Sequence, residues 1–351
     1  MKIYQFKIAT LVLILVPFFT YGQYTKTKEI KKHYNVSGSG NLSIDGKYGD
    51  VHVETWDKKE VDLVVKISVT KRSEDKAQEY LDKINIRIND GSAEDLSFKT
   101  ELDGNFNNRS GEKMEIEYRV KVPVGLNMGL ENSYGNLYLA DTEGDIDIDV
   151  AYGNLKIGKV AGPIDFKLSY GNGDVGQVSN GDVVVRYSNL EVGNAGNIDV
   201  TNSYSNIDFD NAKDVDLSNK YGNVTWRSLN NLQGYSKYGT VKVDKLYESL
   251  IFDVNYGGGL KVGWISKDFN RIDIESSYAS VSLRFEQGMS AMLDAELKYC
   301  DLKNYNLEFD HSYIDESGSM KSYKGKLGKG NFASKINITS DYGTVKVSYV
   351  Q

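Results

Sequence analysis

This 351-residue sequence has one cysteine, three prolines and three histidines. A single cysteine, Cys300, excludes an intrachain disulfide framework and a cysteine-based zinc site. His33, His52 and His311 are scattered and show no metal-ligand spacing. Basic residues are not in excess: 42 Lys and Arg face 49 Asp and Glu, for a net charge of −7. An acidic chain without a basic patch repels phosphate backbones, which argues against nucleic acid as a partner. Beyond the first 22 residues no stretch is apolar enough to span a bilayer as a helix.

Those first residues read as a secretory signal peptide, 1–22. Lys2 and Lys7 supply its positive end, and their removal would lower the net charge by two. The apolar run Ile8 to Thr20 is short for a membrane span, and Thr20-Tyr21-Gly22 places small residues where a signal peptidase requires them. An uncleaved anchor is the alternative. Export without disulfides suits a bacterial envelope, in the periplasm, at the outer-membrane surface or outside the cell.

The chain is rich in Tyr (25) and Gly (34). Strands favour aromatic residues and tight corners favour Gly, so the composition points to an all-β protein. One short word organises it. Tyr-Gly-Asn-Leu or a variant begins at Tyr134, Tyr152, Tyr170, Tyr187, Tyr204, Tyr221, Tyr238 and Tyr256, at intervals of 18, 18, 17, 17, 17, 17 and 18 residues. Such a period marks a structural unit stacked on itself.

Two strands fit in each unit. Asn136-Leu137-Tyr138-Leu139 leaves one corner, and Asp145 to Val150 runs back toward the next Tyr. Four residues before each Tyr stand Ile148, Phe166, Val183, Val200, Leu217, Gly234, Phe252 and Ile274. Six before stand Ile146, Ile164, Gly181, Ile198, Val215, Leu232, Leu250 and Ile272. Two-residue steps of this kind describe strands with one face inward, not helices. The expected architecture is a parallel β-solenoid of 17–22-residue coils, with Gly after each Tyr taking a positive-φ corner and Asn beside it tolerating the left-handed region.

Residues 23–127 read as a less regular N-terminal β region and 128–351 as the solenoid, regular over 134–256 and irregular over 257–351. In the first part, Ser73 caps a single amphipathic helix near 74–84. In the last part, Tyr278, Tyr299 and Tyr342 follow at gaps of 22, 21 and 43 residues, the last read as two coils. The final strand, Thr344 to Val350, is expected to cap the stack.

Three features together carry a resemblance: Val51-His52-Val53-Glu54-Thr55-Trp56-Asp57, Tyr118-Arg119-Val120-Lys121-Val122-Pro123-Val124, and the run of Tyr-Gly-Asn coils. The sequence resembles the bacterial "putative adhesin" repeat family, related to the head GIN domain proteins common in Bacteroidota. The resemblance spans nearly the whole chain after the leader. It implies a right-handed β-solenoid in or outside the cell envelope and carries no catalytic motif. Ser188, Ser205, Ala279 and Cys300 depart from the Gly of the repeated word.

Three columns are candidates for function. Asp147, Asp165, Asp182, Asp199 and Asp216 stand five residues before successive tyrosines, pointing outward. A carboxylate ladder of this kind either binds divalent cations such as Ca²⁺, which takes several oxygen ligands, or forms a solvated acidic face. Tyr152, Tyr170, Tyr187, Tyr204 and Tyr221 either offer aromatic platforms to a glycan or surface partner or stack along an edge as scaffold. The Asn column reads as a structural corner ladder. No cofactor is implied.

No nucleophile elbow, phosphate loop, His-carboxylate cluster or CxxC occurs. The reading is therefore a non-catalytic secreted or envelope solenoid that presents a binding surface to an unknown protein or glycan. One alternative is a polysaccharide-active or glycan-binding solenoid, where a catalytic carboxylate pair should break the repeat. The other is an outer-membrane β-barrel, which needs longer strands and an outward apolar band.

Overall fold

A computed structural model describes residues 22–350 except 39, 93–94 and 108. The expected signal peptide, but for Gly22, lies outside the described residues. Each regular coil consists of two strand faces joined by two corners, with Tyr at one corner. Strand Asn189–Ser203 leads into Tyr204, and Asn206–Lys220 leads from it into Tyr221. Neighbouring coils pair in parallel and in register: Asn189 with Asn206, Val192 with Phe209, Asp199 with Asp216. Alternation then sends every second side chain inward. In this coil Ile207, Phe209, Ala212, Val215 and Leu217 are buried. One coil cannot cover these side chains; the coils above and below do, and each fully buried one contributes about 1.5–3 kcal/mol.

The corner differs from the sequence expectation. Positive φ falls on the tyrosines, not on the glycines that follow or on the asparagines. Twelve tyrosines, from Tyr48 to Tyr342, hold φ between 50° and 61°; among the described non-glycine residues Asn306 is the sole other case. Where Gly follows the Tyr, it does so for a different reason. A Cβ on Gly153 would lie 1.9 Å from the carbonyl oxygen of Gly135, and one on Gly135 1.9 Å from that of Gly49. The corners nest backbone on backbone, and Gly permits the approach. Ser188 and Ser205 occupy the same column and are buried. Their hydroxyls accept from the backbone N–H of Gly171 and Ser188, each at 3.1 Å.

At both ends the order of coils departs from the order of the chain. Strands Asn41–Lys47 and Val51–Trp56 flank Tyr48. They lie between the Asp95–Pro123 segment on one side and the Tyr134 coil on the other. The first coil is thus slotted into the stack. Antiparallel strands cover it from outside: Glu60–Lys71 on Lys113–Pro123, Tyr24–Asn35 on Glu60–Lys71, and Ile84–Ser92 on Asp95–Leu102. The helix Glu74–Asp82 starts at Ser73, whose Oγ accepts from Lys76 N at 3.3 Å, and buries Ala77 and Leu81.

The C-terminal end repeats this arrangement. Ser334–Asp341 pairs with Arg271–Ser277 and with Ser290–Lys298. Thr344–Tyr349 pairs with Ser280–Phe285 and with Asp301–Tyr305. The last coil therefore sits inside the stack, between the Tyr278 and Tyr299 coils, and does not cap it. The 43-residue gap before Tyr342 is not two coils either. It carries strands Phe309–Ser317 and Met320–Gly328; the second adds antiparallel to Ser290–Lys298 and the first antiparallel to the second. Antiparallel strands at a sheet end shield backbone groups that would otherwise invite another chain. An outer-membrane barrel is excluded as the architecture: the repeat strands pair in parallel and the sheet does not close.

Candidate functional site

The corner column is a continuous aromatic stack. Its order is Tyr48, Tyr134, Tyr152, Tyr170, Tyr187, Tyr204, Tyr221, Tyr238, Tyr256, Tyr278, Tyr342, Tyr299. Ring centroids lie 4.8 Å apart at Tyr152–Tyr170 and 4.7 Å at Tyr204–Tyr221, with planes 2° and 5° from parallel. Eleven steps of about 5 Å, near the interstrand spacing, carry the row over roughly 55 Å. The tyrosines are about half exposed, 51% at Tyr204, with Tyr48 lower at 37%. Neighbours lie against the ring faces, so the edges and hydroxyls are what the solvent meets. The five tyrosines singled out from sequence form the middle of this row. One step from its far end, between Tyr278 and Tyr299, the Tyr342 hydroxyl is pushed above its ordinary pKa, by partial burial and then by Tyr299 and Tyr278.

Two amide ladders brace the corner. Outside, Asn154 Nδ2 donates to Asn136 Oδ1 at 3.0 Å, Asn172 to Asn154 at 3.1 Å, and Asn206 to Asn189 at 3.1 Å. Inside, two residues before the Tyr, stand polar side chains the sequence reading passed over, Asn132, Asn202, Asn219, Ser236 and Ser276, all buried, while Val150, Leu168, Val185 and Val254 fill the same position in other coils. Asn219 Nδ2 donates to the Gly222 carbonyl at 3.0 Å and to Ser236 Oγ at 2.8 Å; Asn202 Nδ2 reaches the Ser205 carbonyl at 3.1 Å. Each of these carbonyls also accepts a backbone N–H from the next coil, Ser205 from Asn223 at 3.1 Å and Gly222 from Thr240 at 3.2 Å, so the amides give the corner a second bond per carbonyl. Polar residues at an inward phase were the visible signal.

The Asp column lies on the strand face that leads into the Tyr. Asp147 pairs with Asp165, Asp182 with Asp199, and Asp199 with Asp216. Asp165 Oδ1 accepts from the backbone N–H of Asp182 at 3.0 Å, and Gln233 Nε2 donates to Asp216 Oδ2 at 2.8 Å. Asp182, Asp199 and Asp216, with Asn197, Asp214 and Asn231, line a groove of about 460 Å³. Asp199 is raised above its ordinary carboxylate value, first by partial burial and then by the charges of Asp216 and Asp182. The carboxylates form a row, one per coil, not a set converging on a point. Among the described residues no three His, Cys, Asp or Glu side chains are grouped to hold a metal ion.

A second groove of about 430 Å³ lies on the other face. It carries Asp174, Glu191 and Asp208 in one column, with Arg227 paired to Asp210 at 3.0 Å. Counting four residues past each Tyr would have revealed it. Cys300 is half-buried, and its Sγ lies 3.2 Å from the Ser340 carbonyl oxygen. Trp226, an inward residue by pattern, is fully buried against Phe209.

No protein-family model matches this sequence, and no curated protein does. Solved structures are similar to it over most of its length. A "putative adhesin" from Parabacteroides distasonis is 13% identical, over 91% of this chain and 97% of its own, with a TM-score of 0.33. A "putative lipid binding protein" from the same organism is 11% identical, over 92% and 96%, with a TM-score of 0.28. A "putative cell adhesion protein" from Clostridium sporogenes is 16% identical, over 92% and 100%, with a TM-score of 0.22.

Proposed function

We propose that this chain is an exported, non-catalytic binding scaffold of the bacterial envelope, and that its tyrosine row is the surface it presents. The observation that carries the reading is the backbone under that row. A left-handed corner costs an L-residue other than Gly or Asn roughly 1–2 kcal/mol. Twelve corners nevertheless hold Tyr there. Stacking between rings, worth about 0.5–1.5 kcal/mol per pair, offsets that strain without exceeding it by much. A scaffold alone would be served as well by Asn or Gly. What Tyr adds is a stiff line of phenol edges and hydroxyls standing off the surface.

The carboxylates support the non-catalytic half of the reading. In the two grooves of the regular repeat they occur as rows of equivalents, and within those rows no pair is set apart from its column as a hydrolase pair would be. The partner is a surface protein or a glycan.

The test is binding of the purified protein to a glycan array and to immobilised cell-surface preparations. The comparison is a variant with Tyr187, Tyr204 and Tyr221 replaced by Asn, which tolerates the corner. Loss of binding with an unchanged far-ultraviolet spectrum is expected. Binding indifferent to the three changes would refute the reading. So would depolymerisation of a glycan that a single carboxylate substitution abolishes.

A further inference from the structure

The chain is acidic, yet one strip of it holds no carboxylate. Over the nine coils cornered by Tyr134 to Tyr278, three columns make up the outer corner: the Tyr, the residue before it and the residue two after it. The preceding column reads Ser133, Ala151, Ser169, Arg186, Ser203, Lys220, Lys237, Asn255 and Ser277. The following one begins with Asn136, Asn154, Asn172, Asn189, Asn206 and Asn223 and ends in Thr240, Gly258 and Ser280. None of these is acidic, although the chain has 49 Asp and Glu. In the next outward column, three before the Tyr, carboxylates return toward the two ends as Glu131, Asp149, Asp253 and Glu275, whereas the middle coils carry Val184, Thr201, Ser218 and Tyr235 there. Beside that middle the flanking acids lie farther out, at Asp182, Asp199 and Asp216 on one side and Asp174, Glu191 and Asp208 on the other.

Cations enter this strip at its middle. Arg186, Ser203, Lys220 and Lys237 are register partners on four consecutive coils. Their backbones are tied to the row: Tyr170 N donates to the Arg186 carbonyl at 3.1 Å, Tyr204 N to Lys220 at 3.1 Å and Tyr221 N to Lys237 at 3.0 Å. All three side chains are exposed. Many cations elsewhere pair with a carboxylate, as Lys242 does with Asp244 at 2.8 Å and Arg227 with Asp210. Arg186, Lys220 and Lys237 have no such partner among the described residues; Lys237 Nζ only leans over the Tyr235 ring at 6.0 Å.

We infer that this strip binds an acidic polysaccharide, a uronic-acid polymer laid along the stack. The inference rests on the scaffold reading above and names its ligand class. Three features select the polyanion. Cations without intramolecular partners gain from meeting one. Aromatic rings are electropositive at the edge and electronegative on the face, and here the edges point outward while neighbouring rings cover the faces. Neutral sugars and nucleobases stack on open aromatic faces, which the row does not offer. Finally, a polyuronate repeats its carboxylate with every sugar ring, and coils about 4.8 Å apart repeat the donors in the same direction.

The experiment is titration of the purified protein with polygalacturonate, with dextran and single-stranded oligothymidylate as the other arms. The second protein is the variant Arg186→Gln, Lys220→Gln, Lys237→Gln. These exposed substitutions leave the core intact, so an unchanged thermal midpoint is expected. Polygalacturonate should bind and dextran should not, and the triple variant should bind about tenfold or more weakly, with a shallower dependence on salt. An unaltered affinity in the triple variant, or dextran or oligothymidylate binding as tightly as polygalacturonate, overturns the inference. A neutral glycan bound through the tyrosines would overturn it while leaving the scaffold reading standing. Tyrosine substitutions that alter no binding of any kind defeat that reading itself.

Discussion

Tyr204 and Tyr221 stack with ring centroids 4.7 Å apart and planes 5° from parallel, and their backbones share φ of 55° and 57°. Strain and stacking are thus coupled in the same residue. Replacing Tyr204 with Ala keeps the strained corner and removes two ring contacts, at a cost of about 1–3 kcal/mol. Gly loses the same contacts but relieves the corner, so its cost should be roughly 1 kcal/mol smaller. Urea midpoints give the order: native, then Gly, then Ala. A Gly variant weaker than the Ala variant would show that the corner is not strained.

Gly153 and Gly129 separate packing from propensity. A Cβ at Gly153 would stand 1.9 Å from a backbone oxygen, whereas one at Gly129 meets nothing within 4 Å. Gly153→Ala should cost about 1–3 kcal/mol or more through overpacking, and Gly129→Ala should stay within about 0.5 kcal/mol of native. Equal melting points for the two variants would contradict the nested corner.

Asp199 sets the pH response of the acidic groove. Its pKa is raised from 3.8 by partial burial and by Asp216 and Asp182. The folded state therefore holds this proton more tightly than the unfolded chain does. That contribution to stability is complete below the unfolded value and disappears as pH rises through the higher folded value. At pH 7 the ionised row opposes folding. Asp199→Asn should melt above the native protein at about pH 7, with the difference shrinking toward about pH 3, where native Asp199 is neutral too. A variant that melts lower at neutral pH would mean that the carboxylate has a stabilising partner.

The slotted last coil predicts an unusual response to truncation. Ending the chain before Ser334 removes the layer between the Tyr278 and Tyr299 coils and leaves both with open edges. In limited proteolysis, residues 290–333 should be cut as one unit, far faster than in the native chain. Protection equal to native would imply that the outer hairpin stands without that layer.

Much of the regular body was legible. The two inward columns ending at Ile274 and Ile272 are buried as their alternation required, save for the half-buried Gly181 and Gly234. In-register pairing follows from a repeat because equivalent residues seek equivalent neighbours. The expected corner was wrong in its details, because Gly after Tyr suggested positive φ by residue preference alone. Its true role, close approach to the preceding coil, exists only between coils. The end coils were misplaced for a related reason. Tyr48 and Tyr342 resemble their neighbours in sequence, and nothing local reveals that each is slotted between two other coils.

The candidate site divides in the same way. The Asp and Tyr columns can be counted from the sequence, since each recurs at one phase of a constant period. Which surface of a ring is open, and which cations lack a carboxylate, depends on distances across coils. The amino-acid sequence by itself determined the period, the all-β character, the inward columns and the existence of a tyrosine row, because all four are set by residue type at fixed spacing. Only the tertiary structure decided that the tyrosines take the left-handed corner, that their faces are closed by stacking, that both ends interleave, and that Arg186, Lys220 and Lys237 line a strip without acid. These depend on coil meeting coil, where the energies of close approach, uncovered edges and unpaired charge are settled between residues far apart in the chain.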